Sequence, residues 1–112
     1  MDSIPHYEII YTQTAVEDIE EKADYITYQF HDVALAEKWY FRLRKAIQDD
    51  LSSFPLKYSP YDVVPWSVKG IRLFVTRNDV VLYSVDSTAH VVYIRGVCTC
   101  GQDLAAHLEE QE

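Results

Sequence analysis

The sequence predicts an α+β domain in the order β-α-α-β-β-β, with a short final helix, in which a helical hairpin packs on one face of a mainly antiparallel sheet. Three observations carry this. Two apolar stripes at helical spacing lie between residues 14 and 52 with only two or three residues between them. A stretch holding Pro55, Pro60 and Pro65 ends the helical half. Three β-branched runs separated by turn-forming residues follow it. The 112 residues suffice for one core but not two, and no repeat or linker divides them, so 1–112 is read as a single domain.

The first strand is expected over His6 to Thr12, where Tyr7, Ile9 and Tyr11 alternate with His6, Glu8 and Ile10. Thr14 followed by Glu17 has the spacing of a capping box and predicts the start of the first helix. Val16, Ile19, Ala23, Ile26 and Phe30 form its apolar stripe, while Glu17, Asp18, Glu20, Glu21 and Asp24 crowd the other face and the first turns, where the helix dipole favours negative charge. Asp32 caps a second helix, whose stripe runs through Ala36, Trp39, Leu43, Ala46 or Ile47, and Asp50 or Leu51 to about Ser52. The short connection makes the pair antiparallel. Residues 55–69 lack a period and are read as an ordered loop, with Trp66 over the sheet edge. Ile71 to Thr76, Val80 to Asp86 and His90 to Val97 are the remaining strands, joined by turns at Asn78-Asp79 and Ser87-Thr88. Gln102 to Glu110 is the short final helix.

Charge narrows the partner class. Ten Lys plus Arg against eighteen Asp plus Glu give a net charge of −8. Residues 1–31 hold seven acids and one base, residues 98–112 four acids and no base, and residues 32–97 seven acids and nine bases. The ends are therefore acidic and the body mildly basic, with Arg42, Arg44 and Lys45 its densest cluster. Nucleic-acid affinity comes largely from neutralising phosphates, so the overall balance favours a protein partner. No apolar run approaches the roughly 20 residues a bilayer span needs, and Met1 to His6 lacks the basic and apolar regions of a signal peptide, so a cytoplasmic location is expected.

Conventional sites are missing from the pattern. Cys98 and Cys100 stand one residue apart, too close for an unstrained disulfide and too few for a tetrahedral zinc site, and are read as reduced thiols at a strand end. Three glycines, at 70, 96 and 101, make no phosphate-cradling loop. Neither a metal nor a cofactor is expected.

The order of elements, together with Tyr7-Glu8-Ile9-Ile10-Tyr11-Thr12, Ala15-Val16-Glu17-Asp18-Ile19, Leu51-Ser52-Ser53-Phe54-Pro55, Pro65-Trp66, Gly70-Ile71-Arg72, Asn78 to Asp86 and Val91-Val92-Tyr93-Ile94, resembles the RelE/ParE superfamily of bacterial toxin–antitoxin toxins, also called plasmid stabilisation proteins. The resemblance spans about residues 6–104. It implies a toxin neutralised by a cognate antitoxin, with DNA gyrase as the target of ParE-type members and messenger RNA on the ribosome as that of RelE-type members. The sequence departs from the pattern after the last strand. Thr99 stands where the family carries His or Tyr and Gln102 where it carries Arg; Asp103 is kept.

This departure bears on chemistry. Cutting RNA at a 2′-hydroxyl needs a base, cations for the developing phosphorane charge and an acid for the leaving oxygen. Arg72 survives as the candidate catalytic phosphate contact, and Arg95 is placed to assist it. Thr99 cannot act as a base near neutral pH, and Gln102 carries no charge. The expectation is a ParE-like toxin that acts by binding a protein, with Arg42, Arg44, Lys45, Arg72 and Arg95 facing the antitoxin or target. The alternatives are a ribosome-dependent endoribonuclease and a non-toxic relative kept for complex formation.

Overall fold

The computed structural model describes residues 6–99. Its elements are β1 (Glu8–Tyr11), α1 (Gln13–Phe30), α2 (Val33–Leu51), β2 (Arg72–Val75), β3 (Asp79–Asp86) and β4 (Val91–Thr99). The final helix expected over 102–110 lies outside the described residues. The strands form one sheet in the order β1-β4-β3-β2. β2, β3 and β4 make the expected antiparallel meander, while β1 joins parallel to β4, with Glu8 opposite Val91 and Tyr11 opposite Ile94. The sheet is thus mixed, and its parallel pair is the one whose strands are separated by nearly the whole chain.

Helix α1 begins two residues before the predicted capping box. Thr12 is the N-cap, its Oγ accepting from the Ala15 amide at 3.2 Å, so Thr14 lies inside the first turn. Tertiary context decides this. The Thr12 hydroxyl also donates to the Ile94 carbonyl at 2.9 Å, which ties the cap to the point where β1 stops pairing with β4. Glu17 instead accepts from the Gln13 side chain. His31 closes α1 in the left-handed region at φ 51°, and Asp32 caps α2 by accepting from the Leu35 amide.

Both helices pack on one sheet face. Ala15, Ile19 and Ile26 of α1 and Ala36, Trp39, Leu43, Ile47 and Leu51 of α2 form one core with Phe74, Val81, Tyr83, Val92 and Ile94. Phe30, expected in the stripe, is exposed, because α1 has run past the sheet before reaching it. The opposite face is covered by the 55–70 loop. Trp66 packs with Ile71, Leu82 and Cys98 there, covering the face of the sheet more than its edge. The loop is pinned by hydrogen bonds from Tyr61 N to Ile71 O, Ile71 N to Trp66 O and Leu73 N to Ser59 O. It contains a cis Val64–Pro65 bond. Cover on both faces explains why β3 is buried from Asp79 through Ser84. Each α-helix is too short or too polar to cross a membrane among the described residues.

Candidate partner-binding site

The site is built around an internal ion pair that sequence pattern alone does not reveal. Asp79, at the first position of β3, is 3% exposed. One of its oxygens accepts from Lys22 Nζ of α1 at 2.5 Å, and the other from Trp39 Nε1 of α2 at 2.8 Å. Lys22 also donates to the Thr99 hydroxyl at 3.1 Å and lies 5.6 Å from the centre of the Trp39 ring. Asp18, one turn earlier, accepts from the Val97 amide at 3.0 Å. α1, α2, β3 and β4 are thereby locked at one point. A carboxylate with two charge-satisfying donors tolerates burial, whereas an unpartnered one would not.

Beside this lock, α2 and the β2–β3 hairpin enclose a groove of about 380 Å³. Trp39, Leu43, Ala46, Phe74 and Val75 give it an apolar lining, Arg42 from α2 and Arg77 from the hairpin line it as well, and its two carboxylates are both engaged, Asp79 as above and Asp50 by accepting from the Tyr58 hydroxyl at 2.8 Å. Neither guanidinium has a hydrogen bond or ion pair among the described residues. The groove therefore combines apolar anchoring surface with two uncommitted cations.

The other cations are placed differently. Arg44 lies 4.5 Å from the centre of the Tyr11 ring and donates to the Tyr40 hydroxyl at 2.7 Å, on the β1 side of α2. Burial pushes the Tyr11 phenol up from its ordinary pKa, and the Arg44 charge pulls it partly back. Lys45 pairs with Asp49 at 2.7 Å on the solvent face, and the hydrogen bond to Asp49 raises its pKa. Arg72 donates to the Tyr58 carbonyl at 2.6 Å, at the sheet edge and on the helix face that it shares with its partner Tyr83. Arg95 is the extra residue where β4 slips register against β3, between Gly96 and Ile94, and its Nε donates to Ser84 on the opposite face. The five predicted cations thus do not converge. Arg42 is joined by Arg77 at the groove, and Arg72 and Arg95 lie on different sides of the sheet.

The family model for the ParE toxin of the type II toxin–antitoxin system parDE matches residues 9–104. The chain belongs to the ParE toxin family. No curated protein matches the sequence. The fold is that of the toxin–antitoxin complex RelBE2 from Mycobacterium tuberculosis, with a TM-score of 0.67, 19% identity and coverage of 91% of this chain and 100% of the other. It is also that of the chromosomal ParDE system of P. aeruginosa, with a TM-score of 0.68, 12% identity and coverage of 84% and 96%.

Thr99 ends β4 and is held by Lys22. Gln102 and Asp103 lie outside the described residues. Cys98 is buried against Trp66 and Leu82, and burial pushes its thiol up to about 12, so it carries no thiolate at neutral pH. No group of three His, Cys, Asp or Glu side chains converges as a metal site among the described residues. Sequence reading missed Lys22, Asp79 and Arg77. Lys22 did leave a trace: it stands three residues after Ile19 and four before Ile26, a lone cation on the apolar face. Arg77 sits in the β2–β3 turn, and Asp79, expected to share that turn with Asn78, is instead the buried first residue of β3, a role that its turn-forming chemistry hides.

Proposed function

We propose that this ParE-family chain is a toxin that acts by binding a protein, with DNA gyrase the target its family implies, and that a cognate antitoxin neutralises it. The observation that carries this reading is the dispersal of the cations. Phosphate-cleaving chemistry needs charges aimed at one point, and here Arg72 and Arg95 hold internal partners on opposite faces of the sheet. The α2/β2–β3 groove is instead suited to a protein segment. Its apolar lining offers anchors, and Arg42 and Arg77 offer charge to set register and speed the encounter. An antitoxin segment that is disordered alone and folds on binding, acidic and apolar in alternation, fits both features.

The test is association of the purified chain with its antitoxin, measured at low and high salt. Arg42→Glu with Arg77→Glu should slow association roughly tenfold at low salt and flatten the salt dependence, while the melting temperature stays within a few degrees. Unchanged low-salt binding would remove the antitoxin from this groove.

A further inference from the structure

The helical hairpin is longer than the sheet beneath it. Lys22 meets Asp79 and Thr99, the first residue of β3 and the last of β4, so α1 reaches the rim of the sheet at that point. Helix α1 then continues to Phe30, about 12 Å farther at 1.5 Å per residue, and α2 returns to the rim only at Trp39, which also bonds Asp79. On the arm's inner side Ile26 and Ala36 are buried and continue the core that the two helices share with the sheet. The core accounts for the arm's inner side but not for its outer one.

The arm's surface is unusual for a chain this acidic. Tyr25, Tyr28, Phe30 and Val33 on the arm, and Phe41 at its root just past Trp39, are all more than half exposed, with Tyr28 at 82% and Phe41 at 65%. Phe41, Leu35 and Ala34 line a shallow concavity of about 470 Å³ on α2, and Tyr28 meets His31 at the tip with ring centres 6.5 Å apart. Exposed aromatic side chains of this size are the residues that dominate protein interfaces. On α1, Glu21 and Asp24 stand four residues before Tyr25 and Tyr28 and share their side of the helix, and on α2 Asp32 and Glu37 line the concavity together with Lys38. Of the two lysines in this stretch, Lys22 is turned inward onto Asp79, which leaves Lys38.

We propose that this arm is a second docking surface, for a protein segment that presents apolar side chains flanked by Lys or Arg, such as a basic amphipathic helix. Charge selects this occupant. A second copy would bring the same carboxylates against themselves. The chain's own residues 100–112 hold Asp103, Glu109, Glu110 and Glu112 and no Lys or Arg, so they are repelled as well. Nucleic acid and anionic lipid surfaces carry the wrong sign. The arm and the groove are thus complementary in kind, one acidic and aromatic, the other flanked by arginine. The arm's partner can bind while an acidic segment fills the groove, and the proposal stands whichever target the toxin has.

The probe is a pair of synthetic helices with Leu at i, i+3, i+4 and i+7, one carrying Lys and the other Glu at the remaining positions, titrated into the full-length chain and followed by amide NMR shifts. The Leu/Lys helix should shift amides of residues 23–41. Its affinity should fall at least roughly tenfold with Tyr28→Ser plus Phe41→Ser, and similarly with Glu21→Lys plus Asp24→Lys, and the Leu/Glu helix should bind at least roughly tenfold more weakly. Antitoxin affinity should not change in any variant. Because all four positions are on the surface, circular dichroism and melting temperature should match the parent chain. Shifts centred elsewhere, equal binding of the two helices, or insensitivity to Tyr28→Ser plus Phe41→Ser would overturn the proposal. So would self-association that those substitutions abolish, or cross-links that place residues 100–112 on the arm.

Discussion

Removing the cation of the Lys22–Asp79 pair should be among the more damaging single changes available in this fold. Lys22→Met keeps the aliphatic stem and deletes the charge. Asp79, 3% exposed, would keep only the Trp39 N–H as a partner. Breaking a buried pair from one side costs about 3–5 kcal/mol, and the Lys22 side chain is 18% exposed, which places the expectation at the lower end, about 3 kcal/mol. Asp79→Asn should cost less, about 1–2 kcal/mol, because the amide oxygen still accepts from Trp39 and the freed ammonium can turn toward water. The double variant leaves no unpaired charge and should cost about 2 kcal/mol, well below the sum of the two single changes. Urea unfolding of the four proteins gives the cycle, with total stability on the order of 5–15 kcal/mol as the scale. Costs that add to within about 0.5 kcal/mol, or a Lys22→Met cost below about 1 kcal/mol, would refute the claim that this pair locks α1 and α2 to the end of the sheet.

Other outcomes follow from the same geometry. Thr12→Ala should cost about 1–2 kcal/mol in urea unfolding, since it removes the cap of α1 and the bond to Ile94, whereas Thr14→Ala should change little; the reverse order would restore the predicted capping box. Arg44→Ala should cost about 1 kcal/mol through its lost stacking on Tyr11, while Arg42→Ala, uncommitted in the free chain, should leave the melting temperature nearly unchanged. Burial raises the Tyr83 phenol to about 12, so between its unfolded value of about 10 and pH 12 the folded chain holds a proton that the unfolded chain loses. Stability contributed by this group is complete below pH 10 and should fall by up to about 1.4 kcal/mol per pH unit above it, read as a declining urea midpoint. In a Cys100→Ser background, Cys98 should resist alkylation at pH 8 until the chain unfolds.

Local signals were legible where they were strong. The stripe through Ala36, Trp39, Leu43 and Ile47 gave α2 its buried face, Asp32 its cap, and the alternating runs the meander. The N-cap of α1 was misplaced because Thr12 and Thr14 are equally good caps in isolation, and the choice rests on a hydrogen bond to Ile94, 82 residues away. Phe30 continued the stripe by spacing, but spacing does not report where the sheet stops. The site was less legible still. Cation clusters in sequence do not stay clusters in space: Arg42 and Arg44 are two residues apart and point to opposite flanks of α2, because each helical residue turns by about 100°. Arg42 and Arg77, 35 residues apart, meet across one groove because the β2–β3 hairpin folds back beside α2.

Whether the chain binds a protein or cuts RNA is decided most directly by presenting both substrates to one preparation of the purified protein. Gyrase supercoiling should be inhibited, and messenger RNA in a translating ribosome assay should remain intact. Codon-positioned cleavage that Arg72→Ala abolishes, with gyrase unaffected, would contradict the account at its centre.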